Sequence, residues 1–129
     1  MIRCDQVSKR YAESGDVLNH LSLEIAAGEM VFLTGHSGAG KSTLLKLIAC
    51  LERPSRGQLL VDGRNIGRLT PRQIPHHRRQ VGMIFQDYRL LMDRSVFDNV
   101  ALPLVVSGLG SQEVARRVRA ALNQVGLLN

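Results

Sequence analysis

The segment Gly35–Ser42 matches the phosphate-binding motif G-x-x-x-x-G-K-[ST] at every specified position. Its glycines let the backbone take turns that a Cβ would obstruct, so successive N–H groups can point inward. Those donors, with the positive end of a following helix, suit the β-phosphate of a nucleotide. Lys41 can reach the β- and γ-phosphates, and the Ser42 hydroxyl can ligate Mg²⁺. The predicted phosphate-binding residues are Gly35, His36, Ser37, Gly38, Ala39, Gly40, Lys41, Ser42 and Thr43.

Two elements must position this loop. The apolar run Met30–Leu33 precedes it and predicts a short buried strand. After the loop, apolar residues recur at three- and four-residue steps, as on the inward face of a helix: Leu44, Leu47, Ile48 and Leu51. We expect this helix to stop by Arg53–Pro54, because proline cannot continue it.

Other strands and turns are predicted on both sides of the loop. Residues 1–11, 17–25 and 58–61 have strand patterns, and residues 81–85 predict a second buried strand. Turns are predicted at residues 13–16 and at Asp62-Gly63. Residues 70–79 predict a short helix or turn, and the arginines there, Arg72, Arg78 and Arg79, are typical of a solvated face.

The last third of the chain predicts two helices. Ser95 has capping-box-like spacing and opens a helix that runs to about Leu102, before Pro103. Ser111 is the predicted cap of a second helix, which Gly126 ends. The residues predicted to point inward are Val114, Val118, Leu122 and Val125, and those predicted to point outward are Arg116, Arg117 and Arg119.

Composition favours one modest soluble domain of 129 residues, with 44% apolar and 22% charged residues. The net charge of +6 does not favour nucleic-acid binding, because the cations are spread along the chain and aromatic residues make up only 4%. It suits an anionic membrane surface better, or a partner at one. Cys4 and Cys50 stand apart without metal-type spacing, as reduced thiols of a cytosolic protein would.

A phosphate-loop NTPase also needs an acidic residue after a neighbouring strand to hold Mg²⁺. Asp62 follows a strand too soon after the loop helix and runs into a turn. Asp87 follows the predicted strand at residues 81–85 and could hold the metal in a small kinase. A nucleotide-binding module without hydrolysis is the other class that these motifs leave open.

The whole chain resembles the ATP-binding-cassette (ABC) ATPases, and most closely those of bacterial cell division. The resemblance is carried by residues 1–3, 7–11, 28–54 and 78–103. It implies an α/β fold, that of a phosphate-loop NTPase with an incomplete ABC nucleotide-binding domain. Residues 1–86 would hold an N-terminal antiparallel β part, the phosphate loop and the Q-loop strand. Residues 87–129 would begin the helical subdomain.

The same resemblance implies roles for single residues. Tyr11 would stack on adenine, although by its position alone it is an ordinary strand-end residue. Gln86 would be the Q-loop glutamine, which ligates Mg²⁺ together with Ser42 and senses the γ-phosphate. The residues after it, Arg89–Met92, would face a membrane partner; alternatively, the leucines there merely pack against the helix that begins at Ser111.

Members of the family also carry a Leu-Ser-Gly-Gly signature, a Walker B strand ending in Asp-Glu, and a switch histidine. Residues 1–129 contain neither of the first two. The histidines, His20, His36, His76 and His77, all precede the place of the third. We therefore expect the N-terminal half of such a subunit, with no catalytic residue in this part, which binds ATP and Mg²⁺ at most.

For the intact protein, the resemblance implies an ATPase that dimerises through ATP. It would act with a permease-like membrane partner of the FtsX type, and it would be cytoplasmic and peripheral on the inner face of the cell membrane. The alternatives are the small kinase that uses Asp87 and the ATP-binding subunit of another ABC transporter.

Overall fold

A computed structural model describes residues 1–13 and 15–128 of the chain. These fall into two units, Met1–Gly82 and Met83–Asn129. The predicted turn at residues 13–16 includes Ser14, which lies outside the described residues.

The sheet of the first unit is antiparallel, with the strand order β2-β1-β3-β4. Its strands are β1 (Ile2–Tyr11), β2 (Gly15–Ile25), β3 (Arg56–Val61) and β4 (Arg64–Asn65). The three predicted strands of this sheet are confirmed, whereas the two residues of β4 are too few to leave a pattern. The predicted turn between β3 and β4 is confirmed as well. Asp62 and Gly63 both have positive φ, 46° and 74°, as a two-residue hairpin loop requires.

The central strand β1 is irregular between Asp5 and Ser8, where its register against β3 shifts. Gln6 has a φ of 49° at this point. Gly57 of β3 comes so close that a Cβ on it would lie 2.2 Å from the Gln6 carbonyl oxygen. Because the φ of Gly57 is also positive, at 81°, this irregular pairing depends on a glycine at position 57.

The core of the first unit joins the sheet to α1 (Lys41–Ile48). Its buried members are Cys4, Val7, Leu18, Leu44, Leu47, Cys50, Leu59, Ile66 and Leu69. The helix α1 stops before Arg53, as predicted, but it already ends at Ile48, so the predicted place of Leu51 on its inward face is wrong. Cys50 takes a φ of 53°, and the Leu51 amide then donates to the Lys46 carbonyl at 2.8 Å, which closes the last turn.

Basic side chains cover the C-terminal end of α1. They come from α2 (Ile74–Gln80), where the buried His77 places Nε2 2.7 Å from the Ile48 carbonyl oxygen. Arg78 donates to the Cys50 carbonyl at 2.8 Å. Arg72, Arg78 and Arg79 are exposed, as predicted for a solvated face. Arg78 in addition donates to a carbonyl at the negative, C-terminal end of α1.

Neither of the two predicted buried strands forms. Met30–Leu33 and Val81–Phe85 have no regular secondary structure. Phe32 is 78% exposed and Ile84 is 96% exposed. The backbone of a strand needs a neighbouring strand, and no strand within residues 1–13 and 15–128 pairs with either segment.

The second unit is built on two helices, α3 (Val96–Val106) and α4 (Ser111–Gln124). Its buried residues are Ala101, Val114, Val118 and Leu122. The outward prediction for Arg116, Arg117 and Arg119 is confirmed. The inward prediction for Val125 is wrong, because Val125 lies beyond the end of α4 and is 67% exposed.

The helix ends of the second unit match the sequence only in part. Ser95 caps α3 as predicted, since its Oγ accepts from the Asp98 amide at 3.0 Å. The predicted end at Leu102 is wrong: Pro103 removes only its own N–H bond, and the Ser107 amide still donates to the Pro103 carbonyl. Ser111 is not a cap, because Gly110 takes that position. The described residues contain no helix that is both long and apolar enough to cross a membrane.

Candidate nucleotide-binding site

The loop before α1 has the backbone of an anion cradle. Gly35, Gly38 and Gly40 have φ values of 148°, 82° and 86°, which favour glycine. Gly40 is also the N-cap of α1. A Cβ on Gly40 would lie 2.7 Å from Cδ2 of Leu18 and 2.9 Å from the Val17 carbonyl oxygen. The last glycine of the motif is therefore required both by its conformation and by the approach of β2.

Lys41 folds back across the loop that precedes it. Its Nζ donates to the carbonyls of Gly35 at 2.7 Å and His36 at 2.6 Å. The ammonium group thus spans the loop, and both of these acceptors are neutral carbonyl oxygens. Phosphate oxygens are stronger, charged acceptors, so a bound phosphate could draw the same donor. Ser42 is exposed in the first turn of α1, and Thr43 beside it is buried.

Tyr11, at the end of β1, is tied to the segment that follows α1. Its hydroxyl donates to Oε2 of Glu52 at 2.5 Å. Burial has the largest effect and raises the pKa of the Tyr11 phenol, and the Glu52 carboxylate raises it further, while the neighbouring Thr43 side chain lowers it. The phenol therefore stays protonated as a donor, close to a residue of the phosphate loop.

Glu52 was not among the predicted site residues. Its Oε2 lies 3.2 Å from Lys9 Nζ, and its Oε1 lies 3.7 Å from Lys46 Nζ. Burial raises the pKa of this carboxyl, but the hydrogen bonds from Tyr11 and Lys9, with the charges of Lys9 and Lys46, outweigh it and lower the pKa overall. No sequence motif indicates this cluster, because its members come from β1, α1 and the segment after α1.

Gln86 and Asp87 lie in the second unit, in an exposed turn. The Tyr88 amide donates to the Phe85 carbonyl at 3.2 Å. The guanidinium carbon of Arg89 lies 4.0 Å from the centroid of the Phe85 ring. The metal roles of Gln86 and of Asp87 both stay predictions.

The segment after this turn is anchored on α3 by Asn99. The Asn99 side chain accepts from the Leu91 amide at 2.8 Å and donates to the Leu91 carbonyl at 3.0 Å. The side chains of Leu90, Leu91 and Met92 are exposed. They line an apolar groove of about 620 Å³ together with residues of α3 and α4.

The sequence of the chain matches the ABC transporter family over residues 18–129. The chain therefore belongs to that family, whose domain fold it has in part.

Among its relatives is the cell division ATP-binding protein FtsE of Escherichia coli, 55% identical over all 129 residues of this chain and 58% of its own length. The methionine import ATP-binding protein MetN of Rhizobium meliloti is 46% identical over 95% of the chain and 36% of its own length. The ATP-binding cassette MJ0796, solved as a post-hydrolysis dimer with ADP and Pi, superposes with a TM-score of 0.88 at 30% identity. That superposition covers 95% of this chain and 56% of the cassette. The chain thus spans less than two thirds of the length of these relatives.

Proposed function

We propose that the intact protein is the ATP-binding subunit of an ABC-type complex that acts in bacterial cell division. The observation that carries this proposal is the 55% identity to FtsE over the whole chain. The glycine loop with Lys41 supports the nucleotide-binding part independently, because it presents backbone and ammonium donors at the start of a helix.

In this proposal, residues Gly35–Thr43 hold the phosphates of ATP, and Tyr11 stacks on adenine. Mg²⁺ would be held by the Ser42 hydroxyl, the Gln86 amide oxygen and phosphate oxygens. The described residues contain no group of three or more His, Cys, Asp or Glu that could hold a metal. A hydroxyl at the start of α1 fits a cation that nucleotide phosphates help to bind.

The finer parts of the proposal concern the rest of the cycle. Residues 1–129 form part of one nucleotide-binding domain, with its helical subdomain starting at residue 87. This part alone binds nucleotide and hydrolyses it barely, because it lacks the Walker B carboxylates and the signature loop. The intact subunit dimerises through ATP on the inner face of the membrane.

Coupling to a permease-like membrane partner of the FtsX type is assigned to Gln86 and the segment after it. A glutamine is a neutral ligand and can release the metal when the γ-phosphate leaves, where a carboxylate would hold on. The exposed side chains of Leu90, Leu91 and Met92 beside an apolar groove support this role over simple packing on α4. In the intact protein, Gln86→Ala removes one weak, neutral metal ligand and should leave ATP binding nearly intact, as should Leu91→Asp. Both variants should weaken co-purification with the partner.

The experiment that tests nucleotide binding compares Lys41 with an exposed cation outside the phosphate loop. Lys41→Ala removes a charge-assisted contact to phosphate and should cost about 1.5–3 kcal/mol in ATP binding, measured by titration calorimetry with Mg-ATP. Arg72→Ala is the control, because Arg72 is an exposed cation that lies outside the loop and outside the Glu52 cluster. It should change the affinity no more than about twofold.

Equal affinities of wild type and Lys41→Ala would refute the phosphate site. If ATP binds normally but neither Gln86→Ala nor Leu91→Asp changes co-purification with the partner, then the nucleotide site stands and the coupling role is wrong. Acceptor phosphorylation that Asp87→Asn abolishes would favour the small kinase.

A further inference from the structure

We infer that Glu52 is a positioning residue that fixes the ring of Tyr11 and thereby sets the affinity of the site for the base of the nucleotide. This inference rests on the proposed function, since it takes Tyr11 as the residue that meets adenine. It adds a residue outside the phosphate-loop motif and gives it a part in base recognition.

The contact lies at the far end of the tyrosine side chain. Tyr11 is the last residue of β1, and a turn follows it. Rotation about its side-chain bonds would swing the ring unless something held its tip. The 2.5 Å hydrogen bond from the Tyr11 hydroxyl to Glu52 supplies that second point of attachment.

Glu52 can do this because it is itself held in place. Two ammonium groups flank its carboxylate, from Lys9 at 3.2 Å and Lys46 at 3.7 Å. Lys9 also donates to the Arg53 carbonyl at 3.0 Å, so the carboxylate and its neighbour share one partner. The Lys9 and Glu52 side chains are only 15% and 23% exposed, which limits screening of this pair by solvent.

The cluster also suits a highly charged ligand. An isolated carboxylate near a triphosphate would repel it, whereas Glu52 is balanced by two lysines. Lys46 belongs to α1, so the carboxylate links the tyrosine to the helix that follows the phosphate loop. Lys9 Nζ stands 4.9 Å from the centroid of the Tyr11 ring and occupies one face by a cation–π contact. The base should therefore stack on the opposite face.

The test separates base binding from phosphate binding in the intact protein. Affinities for Mg-ATP and for inorganic tripolyphosphate, which has no base, are measured by calorimetry on each variant. Glu52→Ala and Tyr11→Phe both remove the hydrogen bond while Tyr11→Phe keeps the ring. Each should lower the ratio of the ATP affinity to the tripolyphosphate affinity about three- to tenfold, because the charge that Glu52→Ala removes acts on both ligands alike. Glu52→Gln keeps an acceptor and should recover most of the loss.

Two further variants complete the design. The double variant Glu52→Ala/Tyr11→Phe should be no weaker than either single variant, because both break the same bond. Glu24→Ala removes an exposed carboxylate of β2 as a matched control and should change nothing.

Each negative result would contradict a different role. If Tyr11→Ala, expected to weaken ATP about 5- to 100-fold, has no effect, then the adenine role in the proposed function is wrong. If Tyr11→Ala weakens ATP but Glu52→Ala and Tyr11→Phe do not, then only the positioning role is overturned. A Glu52→Ala variant that loses ATP and tripolyphosphate equally would also overturn it, because the residue would then act through the phosphate loop.

Discussion

The strand β3 and the segment Met30–Leu33 are both short and both in the first unit of the chain, and β3 is apolar in part whereas residues 30–33 are apolar throughout. Leu59 of β3 is completely buried and faces Cys4 of β1 in register. Phe32 is 78% exposed, and no strand within the described residues 1–13 and 15–128 pairs with its segment. Since the apolar run at 30–33 has the stronger local signal, hydrophobicity alone did not decide between these outcomes. The presence of a neighbouring strand decided which segment became a strand.

The physical reason is that a strand completes its hydrogen bonds with another chain segment, whereas a helix completes them within itself. β1 finds partners on both of its sides, in β2 and β3. Side chains on a paired strand can then stack into one core with α1. An apolar segment without a partner keeps its backbone groups in water, and its side chains stay there too.

The prediction with the largest expected effect tests this comparison between a paired and an unpaired segment directly. Leu59→Ala in the 129-residue chain should destabilise the first unit by about 2–5 kcal/mol, because it leaves a cavity in the core. Phe32→Ala removes a larger side chain but should cost less than about 0.5 kcal/mol, because that side chain is exposed. Urea unfolding followed by far-UV circular dichroism gives both values. A cost for Phe32→Ala near that of Leu59→Ala would mean that residues 30–33 are covered in solution.

A second prediction sharpens the comparison by testing how tightly the paired strands meet. Gly57→Ala should cost about 2–4 kcal/mol, since its Cβ would lie 2.2 Å from the Gln6 carbonyl oxygen. Gly63→Ala is the matched control, because Gly63 has a similar φ of 74° but nothing within 4 Å of its Cβ. That control should cost only about 1 kcal/mol, the strain of a left-handed alanine. Equal losses of stability in the two variants would show that β1 and β3 lie farther apart at Gly57 than in the structure.

The same contrast explains how much of the fold the sequence could predict. Three of the four strands of the sheet, the Asp62-Gly63 turn and the two helices of the second unit follow from local patterns. The predicted strands at 30–33 and 81–85 were wrong, because periodicity cannot tell whether a neighbour exists. The early end of α1 was missed because Cys50, a residue that rarely takes a positive φ, ends the helix.

The candidate site also contains some residues that the sequence indicates and others that it does not. The phosphate loop could be predicted because its residues are consecutive and its glycines have a conformational purpose. The adenine role proposed for Tyr11 rests on the family resemblance, since nothing in its own neighbourhood in the sequence indicates a ligand. Glu52 could not be predicted at all, because its contacts to Lys9 and Tyr11 span more than forty residues.

The smallest predicted effect concerns the helices, where local patterns should be most reliable. The sequence predicted a serine cap at both Ser95 and Ser111, but only Ser95 is outside its helix with an Oγ that accepts from the Asp98 amide. Ser95→Ala should therefore destabilise α3 by about 1 kcal/mol and speed amide exchange at Asp98, whose N–H loses its partner. Ser111→Ala should be neutral within about 0.5 kcal/mol, because alanine is a better helix former at the first position of α4. Hydrogen exchange followed by NMR measures both. A loss on Ser111→Ala as large as on Ser95→Ala would restore the cap that the sequence predicted and would show that α4 begins one residue later than described.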